Sequence, residues 1–217
     1  MASLPASDLT LDELRPLLID AMVPHVPFDG WSKAAAEQAG ADLRLPQGRA
    51  SLVFDSPAAM VDAYIARADA RMLASLDLTG LKIREKIRTA LATRFEQAAE
   101  EREAVRRALA ILALPQNAVL AARTLWRTAD TIWHAAGDTA TDYNHYTKRL
   151  ILGGVYSATL LVWLNDESED CADSFAFLDR RIDGIMRFEK AKAQVMGGTT
   201  QLPSLSRFLG RLRYPAI

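Results

Sequence analysis

Cysteine, histidine and unbalanced charge are all scarce in this chain, and each shortage excludes something. One cysteine, Cys171, stands among 217 residues, so no disulfide can form within the chain and a reducing compartment is expected. The three histidines, His25, His134 and His145, occur in no HExxH or ExxH spacing, and there is no CxxC. His134 and Asp138 stand four apart, with Asp142 and His145 beyond, but Gly137 breaks the helix that would align them on a metal. No glycine-rich phosphate loop and no Ser/His/Asp set is present, so the sequence nominates no catalytic residue, no metal and no cofactor. Lys and Arg total 26 against 27 Asp and Glu, which disfavours a dedicated nucleic-acid binder, since such proteins carry a basic surplus. The longest apolar run, Leu150–Leu164, is roughly 15 residues, short of the ~18 or more that span a bilayer. Residues 1–10 lack the basic and apolar regions of a secretory signal and the Arg-rich amphipathic character of a mitochondrial transit peptide. The expectation is a soluble protein whose membrane contact, where it occurs, is peripheral.

Apolar periodicity of 3.6 residues is abundant, and sustained alternation of period 2 is absent, which predicts an all-α chain of some nine or ten helices. Leu9–Val23 is amphipathic, with Leu11, Leu14, Leu18 and Met22 on one side. Ser32 opens a short alanine-rich helix ending at Gly40. Ser56-Pro57 is a cap followed by proline at the first helical position, opening a helix that carries Met60, Tyr64, Met72 and Leu76 toward a core. Further helices run through KIREKIRTALATRFEQ, EREAVRRALAILAL, Pro115–Trp133, about 144–164 and about 170–195. The front end outlines a helix-turn-helix, yet its third segment contains Pro46 and Gly48, and its charges, Asp42, Arg44, Arg49 and Asp55, cancel. A recognition helix needs groove-facing Arg, Lys, Asn or Gln on an unbroken helical run. The motif is degenerate.

Three features carry functional expectations. Two adjacent apolar helices, with the helix that follows them, bring Val119, Leu120, Trp126, Ile132 and Trp133, then Leu152, Val155, Tyr156 and Leu160, then Phe175, Leu178, Ile182 and Met186. They would close either a solid core or a tunnel for a chain-like lipid, and Gly153-Gly154 and Ala158 thin one wall. At the C-terminus Leu202, Leu205, Phe208, Leu209 and Leu212 fall within about 120° of a helical wheel. Arg207 and Arg211 sit opposite, and no acid occurs after Gly197. A short basic amphipathic helix of this kind either lies in a membrane interface or docks on its own domain. Between the apolar helices, WHAAGDTATDYNHYTKR crowds Asp138, Asp142 and Asn144 at a helix junction. One capping side chain would suffice there, so the surplus suggests a surface built for recognition.

These strings carry a resemblance. From about Leu81 to Lys192, KIREKIRTALATRF, RRALAILALP, WHAAGDTATDYNHYTKR and FLDRRID keep the order and approximate spacing of the ubiquinone-biosynthesis accessory proteins that stand ninth in the Coq series. The family looks like TetR-type regulators that have lost DNA binding, and this chain resembles a bacterial member, which implies a cytoplasmic protein peripherally associated with the inner membrane. The resemblance implies a non-enzymatic, homodimeric lipid-binding protein that takes a polyprenylated quinone precursor from the membrane and presents it to a ring hydroxylase. It also implies a degenerate helix-turn-helix region over 1–55, a lipid-binding domain over 56–196, and a linker with a membrane-binding helix over 197–217. It maps the hydroxylase patch onto Asp142, Asn144, His145, Tyr146, Lys148 and Arg149. His145 stands where the family usually has tryptophan, which puts the identity or affinity of the hydroxylase in question. The alternative is a TetR-like regulator whose apolar cavity binds an effector.

Overall fold

Helix-start signals fix most of the architecture. In the computed structural model the described residues are 6–138 and 143–197, the latter without the side chains of 143–144 and 186–197. Asp142, the side chains of Asn144 and Met186, and the whole C-terminal stretch with Leu202, Leu205, Arg207, Phe208, Leu209, Arg211 and Leu212 lie outside them. Among the described residues there are nine α-helices and no strand. They are α1 (Leu11–Met22), α2 (Val26–Asp29), α3 (Lys33–Asp42), α4 (Pro57–Ser75), α5 (Ile83–Gln97), α6 (Arg102–Leu112), α7 (Ala118–Ala135), α8 (Tyr143–Trp163) and α9 (Ala172–Gly197). The chain divides into two units, Met1–Leu178 and Asp179–Ile217, and all packing described below lies within the first. No single helix among the described residues is long and apolar enough to cross a membrane.

Helix α1 starts two residues later than the apolar pattern predicts, because Thr10 caps it. The Thr10 hydroxyl accepts the Glu13 N–H at 3.3 Å, and the Glu13 carboxylate accepts the Thr10 N–H at 2.9 Å, the reciprocal capping box. Ser32 and Ser56 cap α3 and α4 by one bond each, their hydroxyls accepting from Ala35 N and Ala59 N. Gly137 ends α7 in the left-handed region, at φ 91°. Its N–H reaches His134 O, and that of Asp138 reaches Trp133 O, both at 3.0 Å, the paired bonds of a Schellman stop. Helix α2 was not visible in the periodicity, since its four residues make about one turn.

Residues of α1, α3 and α4 enclose one core. Leu14, Leu18, Ile19 and Met22 meet Ala35, Ala36 and Ala39, with Phe54, Met60 and Val61 beside them. Each of the larger side chains contributes about 1.5–3 kcal/mol by burial. Leu11, expected on the core side, is 39 % exposed, and Leu76 is only half-buried because α4 ends beside it. Between Leu43 and Asp55 the backbone makes a single 3-10 turn, Ala50–Leu52. It packs so close to α3 that a Cβ on Gly40 would come within 2.7 Å of the Ala50 Cβ. A turn therefore occupies the place of a recognition helix.

Helix α6 is fastened by its arginines to the carbonyl ends of its neighbours. Arg106 donates to Leu164 O at 2.7 Å and Arg102 to Asp166 O at 2.5 Å, both just past α8, while Arg107 donates to Pro27 O at 2.8 Å. Cations at these positions satisfy carbonyls that a helix end leaves free.

The buried Asp166 carboxylate organises the start of α9. It accepts the N–H and hydroxyl of Ser168 and of Ser174, at 2.5–2.9 Å. Burial alone would raise its pKa, but these bonds prevail and hold it well below the usual carboxylate range. Asp166→Ala is expected to cost about 2 kcal/mol and to lower the melting temperature by about 5 °C. Because the folded value is depressed, this stabilisation is present above the ordinary carboxylate pKa near 4. It is lost as pH falls toward the folded value. Thermal scans of both proteins should therefore converge on going from pH 7 to pH 2, and a gap independent of pH would contradict the assignment.

Candidate functional site

Five helices, α4 to α8, leave a cavity of about 380 Å³ between them. Their lining positions recur at helical spacing. Val105, Ala108, Leu109 and Leu112 come from α6, and Ala121, Thr124, Leu125 and Thr128 from α7, both stripes at i, i+3, i+4 and i+7. Helix α8 supplies Tyr156, Ser157, Leu160, Leu161 and Trp163, α4 supplies Tyr64, Ile65 and Ala68, and α5 supplies Arg94 and Phe95. Phe95 stacks on Tyr156 at 5.7 Å and tilts against Trp163 at 5.6 Å. Where α7 and α8 approach, a Cβ on Gly153 would touch the Leu125 side chain at 3.4 Å, so glycine sets that spacing.

The walls are largely apolar, but one cluster on them is charged. Arg94, 6 % exposed, donates through Nη1 to Asp69 Oδ1 at 2.6 Å and through Nε to Tyr156 Oη at 3.1 Å. The Thr128 hydroxyl reaches both Asp69 oxygens, at 3.0 and 3.1 Å. Burial pushes the Asp69 carboxyl up, against the pull of Arg94, Thr128 and Arg127. Burial works against the charge on Arg94, yet Tyr156 and Asp69 outweigh it and raise its pKa. A second network stands behind Tyr64. Its hydroxyl donates to Glu101 at 2.9 Å, and Glu101 also pairs with Arg67 and Arg71. Burial, then the Glu101 charge, raises the Tyr64 phenol, so it is neutral and a donor. Among the described residues no group of three or more His, Cys, Asp or Glu is placed to hold a metal ion.

Of the residues expected to contact lipid, the structure brings Tyr156 and Leu160 to the cavity. Ile132, Leu152, Val155 and Leu178 are buried elsewhere in the packing. Leu120, Trp126, Trp133 and Phe175 are half-buried and off the cavity, with Arg88 over the Phe175 ring at 5.8 Å. Val119 is 82 % exposed; it lies in the first turn of α7, ahead of the stripe that begins at Ala121, and is corrected from wall to surface. Ile182 falls in the second unit. The missed contributors are the α4, α5 and α6 residues, with Arg94 foremost, and on α7 and α8 Ala121, Thr124, Leu125, Thr128, Ser157, Leu161 and Trp163.

The α7–α8 corner is an ion-pair network. Arg149, expected on an exposed patch, is 1 % exposed and faces inward. It donates to Asp130 at 2.5 Å, to Asp138 at 3.2 Å and to His145 O at 3.1 Å. Lys148 pairs with Asp138 at 2.7 Å and covers the Trp133 ring, while the Trp133 N–H donates to Lys148 O. The bond from Lys148, opposed by burial and assisted by Arg149, lowers the Asp138 carboxyl. Outside this network His145 and Tyr146 meet Trp126 at 6.2 and 5.8 Å, and Tyr146 is 59 % exposed.

Comparison with known proteins agrees with this architecture. Residues 118–189 match the family model described as COQ9. The chain is 32 % identical over 194 residues to "Ubiquinone biosynthesis protein COQ9, mitochondrial" of Rattus norvegicus, covering 85 % of this chain and 62 % of that protein. The identically named protein of Homo sapiens is 30 % identical, with 85 % and 61 % covered. The chain thus spans about three fifths of the length of these relatives. In fold it is similar to a TetR transcriptional regulator from Nitrosomonas europaea, with a TM-score of 0.64 and 23 % identity over 79 % of this chain and 97 % of that one.

Proposed function

We propose, from the match of residues 118–189 to the COQ9 family model, that this protein serves ubiquinone biosynthesis without chemistry of its own. It binds a polyprenylated quinone intermediate and offers it to a ring hydroxylase at the membrane. The observation that carries this reading is the cavity of about 380 Å³, with apolar walls and a single polar cluster, a lining suited to an amphipathic guest. Ligand pockets commonly measure about 300–1,000 Å³, so this one accommodates a ring and a short length of tail. The remainder of a long polyprenyl chain has to lie elsewhere. Ten enclosed carbons would supply roughly 8 kcal/mol before ordering costs, enough to draw the lipid out of water. The exposed Tyr146, with His145 and Trp126, is the proposed face for the hydroxylase, since aromatic anchors dominate interface energetics.

A DNA-binding regulator built on the same fold would need a reading helix. Here its place is taken by the Ala50–Leu52 turn, in a stretch whose charges cancel.

Organic extraction and native mass spectrometry of freshly purified protein test the reading. An isoprenoid quinone or precursor is expected at close to one molecule per chain. Preparations repeatedly free of lipid, and unable to take up a short-tailed quinone, would overturn it.

A further inference from the structure

Resting on the cavity reading above, we infer that the pocket has a head-group end, where Arg94 and Tyr156 jointly hold one uncharged acceptor oxygen of the ring-carbonyl class. Arg94 is nine-tenths buried and lines the cavity. Two of its nitrogens are committed, Nε to Tyr156 Oη and Nη1 to Asp69. The third, Nη2, meets no protein acceptor among the described residues. Nor is it one of the fully enclosed unpartnered atoms, which are Arg49 Nε and Arg127 Nε, and it belongs to a side chain that borders the cavity. Tyr156 Oη accepts from Arg94, which leaves its own O–H free to donate, and no protein acceptor for it is found among the described residues. Two donors linked by the Nε–Oη bond therefore border one apolar cavity, and the Asp69–Thr128 pair behind Arg94 fixes the guanidinium.

Charge selects the class of oxygen. Asp69 already offsets Arg94, and Arg127, 3.7 Å from Asp69, is itself paired with Asp62 at 2.7 Å. A ligand carboxylate would add an uncompensated anion to a buried site, which is costly. A carbonyl accepts from both donors without a new charge, and a bond from an ionised donor is stronger than one between neutral groups. Such a bond alone changes affinity by about tenfold. The guest is thereby oriented, its ring oxygen at Arg94 and Tyr156 and its tail along the α6 and α7 stripes.

Isothermal titration of the full chain with 2-decyl-1,4-benzoquinone, decylbenzene and decanoate tests this. The wild type is expected to bind the quinone at least tenfold more tightly than decylbenzene, with decanoate the weaker of the two oxygenated probes. Tyr156→Phe removes one hydroxyl and should cut the quinone preference about threefold to tenfold, leaving decylbenzene unchanged. Arg94→Lys keeps the charge facing Asp69 but withdraws the planar fork, and should act the same way. A preference near one in the wild type, or one unaltered in both variants, refutes the head-group end while sparing the cavity. Decanoate binding more tightly than the quinone refutes the uncharged acceptor. Failure of all probes to bind brings down the cavity reading and this inference with it.

Discussion

Ala121→Trp is expected to abolish lipid uptake, with about a hundredfold loss of affinity and a melting temperature within about 3 °C of the wild type. Ala121 faces the cavity one turn ahead of Thr124 and Leu125 and is half-buried. The indole can grow into vacant space instead of displacing packed atoms, which avoids the usual penalty of over-packing. Excluding as few as four methylenes of the guest forfeits roughly 3 kcal/mol, or about two powers of ten in affinity. Titration with a short-tailed quinone reads the loss, and a thermal scan confirms the fold. Undiminished uptake by a folded variant would show that lipid binds somewhere other than between α4 and α8.

Asp69→Ala should be the most damaging single change to stability. The Asp69 and Arg94 side chains are 7 % and 6 % exposed, so removing the carboxylate leaves an enclosed guanidinium with only the Tyr156 hydroxyl as a protein acceptor. Breaking one half of a buried pair typically costs about 3–5 kcal/mol, a fall in melting temperature on the order of 10 °C for a chain of this size. Asp69→Leu combined with Arg94→Met should recover much of the loss, because the pair is then replaced by apolar volume. Denaturant titration of the single and double variants measures the coupling. A single-variant cost below about 1 kcal/mol would mean that water reaches the pair.

Local signals made the skeleton legible in the sequence. Ser32, Ser56 and Gly137 mark helix ends by chemistry confined to a few neighbouring atoms, and the structure places the ends there. The cavity was not legible in the same way, because hydrophobicity does not distinguish a packed interior from a hollow one. The greasiest stretches supplied Ile132, Leu152 and Val155, which fill space. The hollow is left by small residues, Ala68, Ala98, Ala108, Ala113 and Ala121, that a search for large apolar side chains passes over. Arg94 escaped notice for a related reason. It stands in KIREKIRTALATRF, where charge suggests a solvated face, and its partner Asp69 is 25 residues earlier. The outward placement of Arg149 failed similarly, since Asp130 lies 19 residues away. Tyr156 and Leu160 were found because they share one face of an evidently buried helix.

The cavity wall also belongs to the N-terminal core. Tyr64 lines the cavity and packs its ring 4.9 Å from that of Trp31, while the Trp31 indole N–H is bonded to Ala104 O, one turn before the wall residue Ala108. Trp31 thus joins the core of α1, α3 and α4 to the helices that carry Tyr64 and Ala108. A shift of the cavity wall at Tyr64 is therefore expected to reach the N-terminal helices through the Trp31 ring.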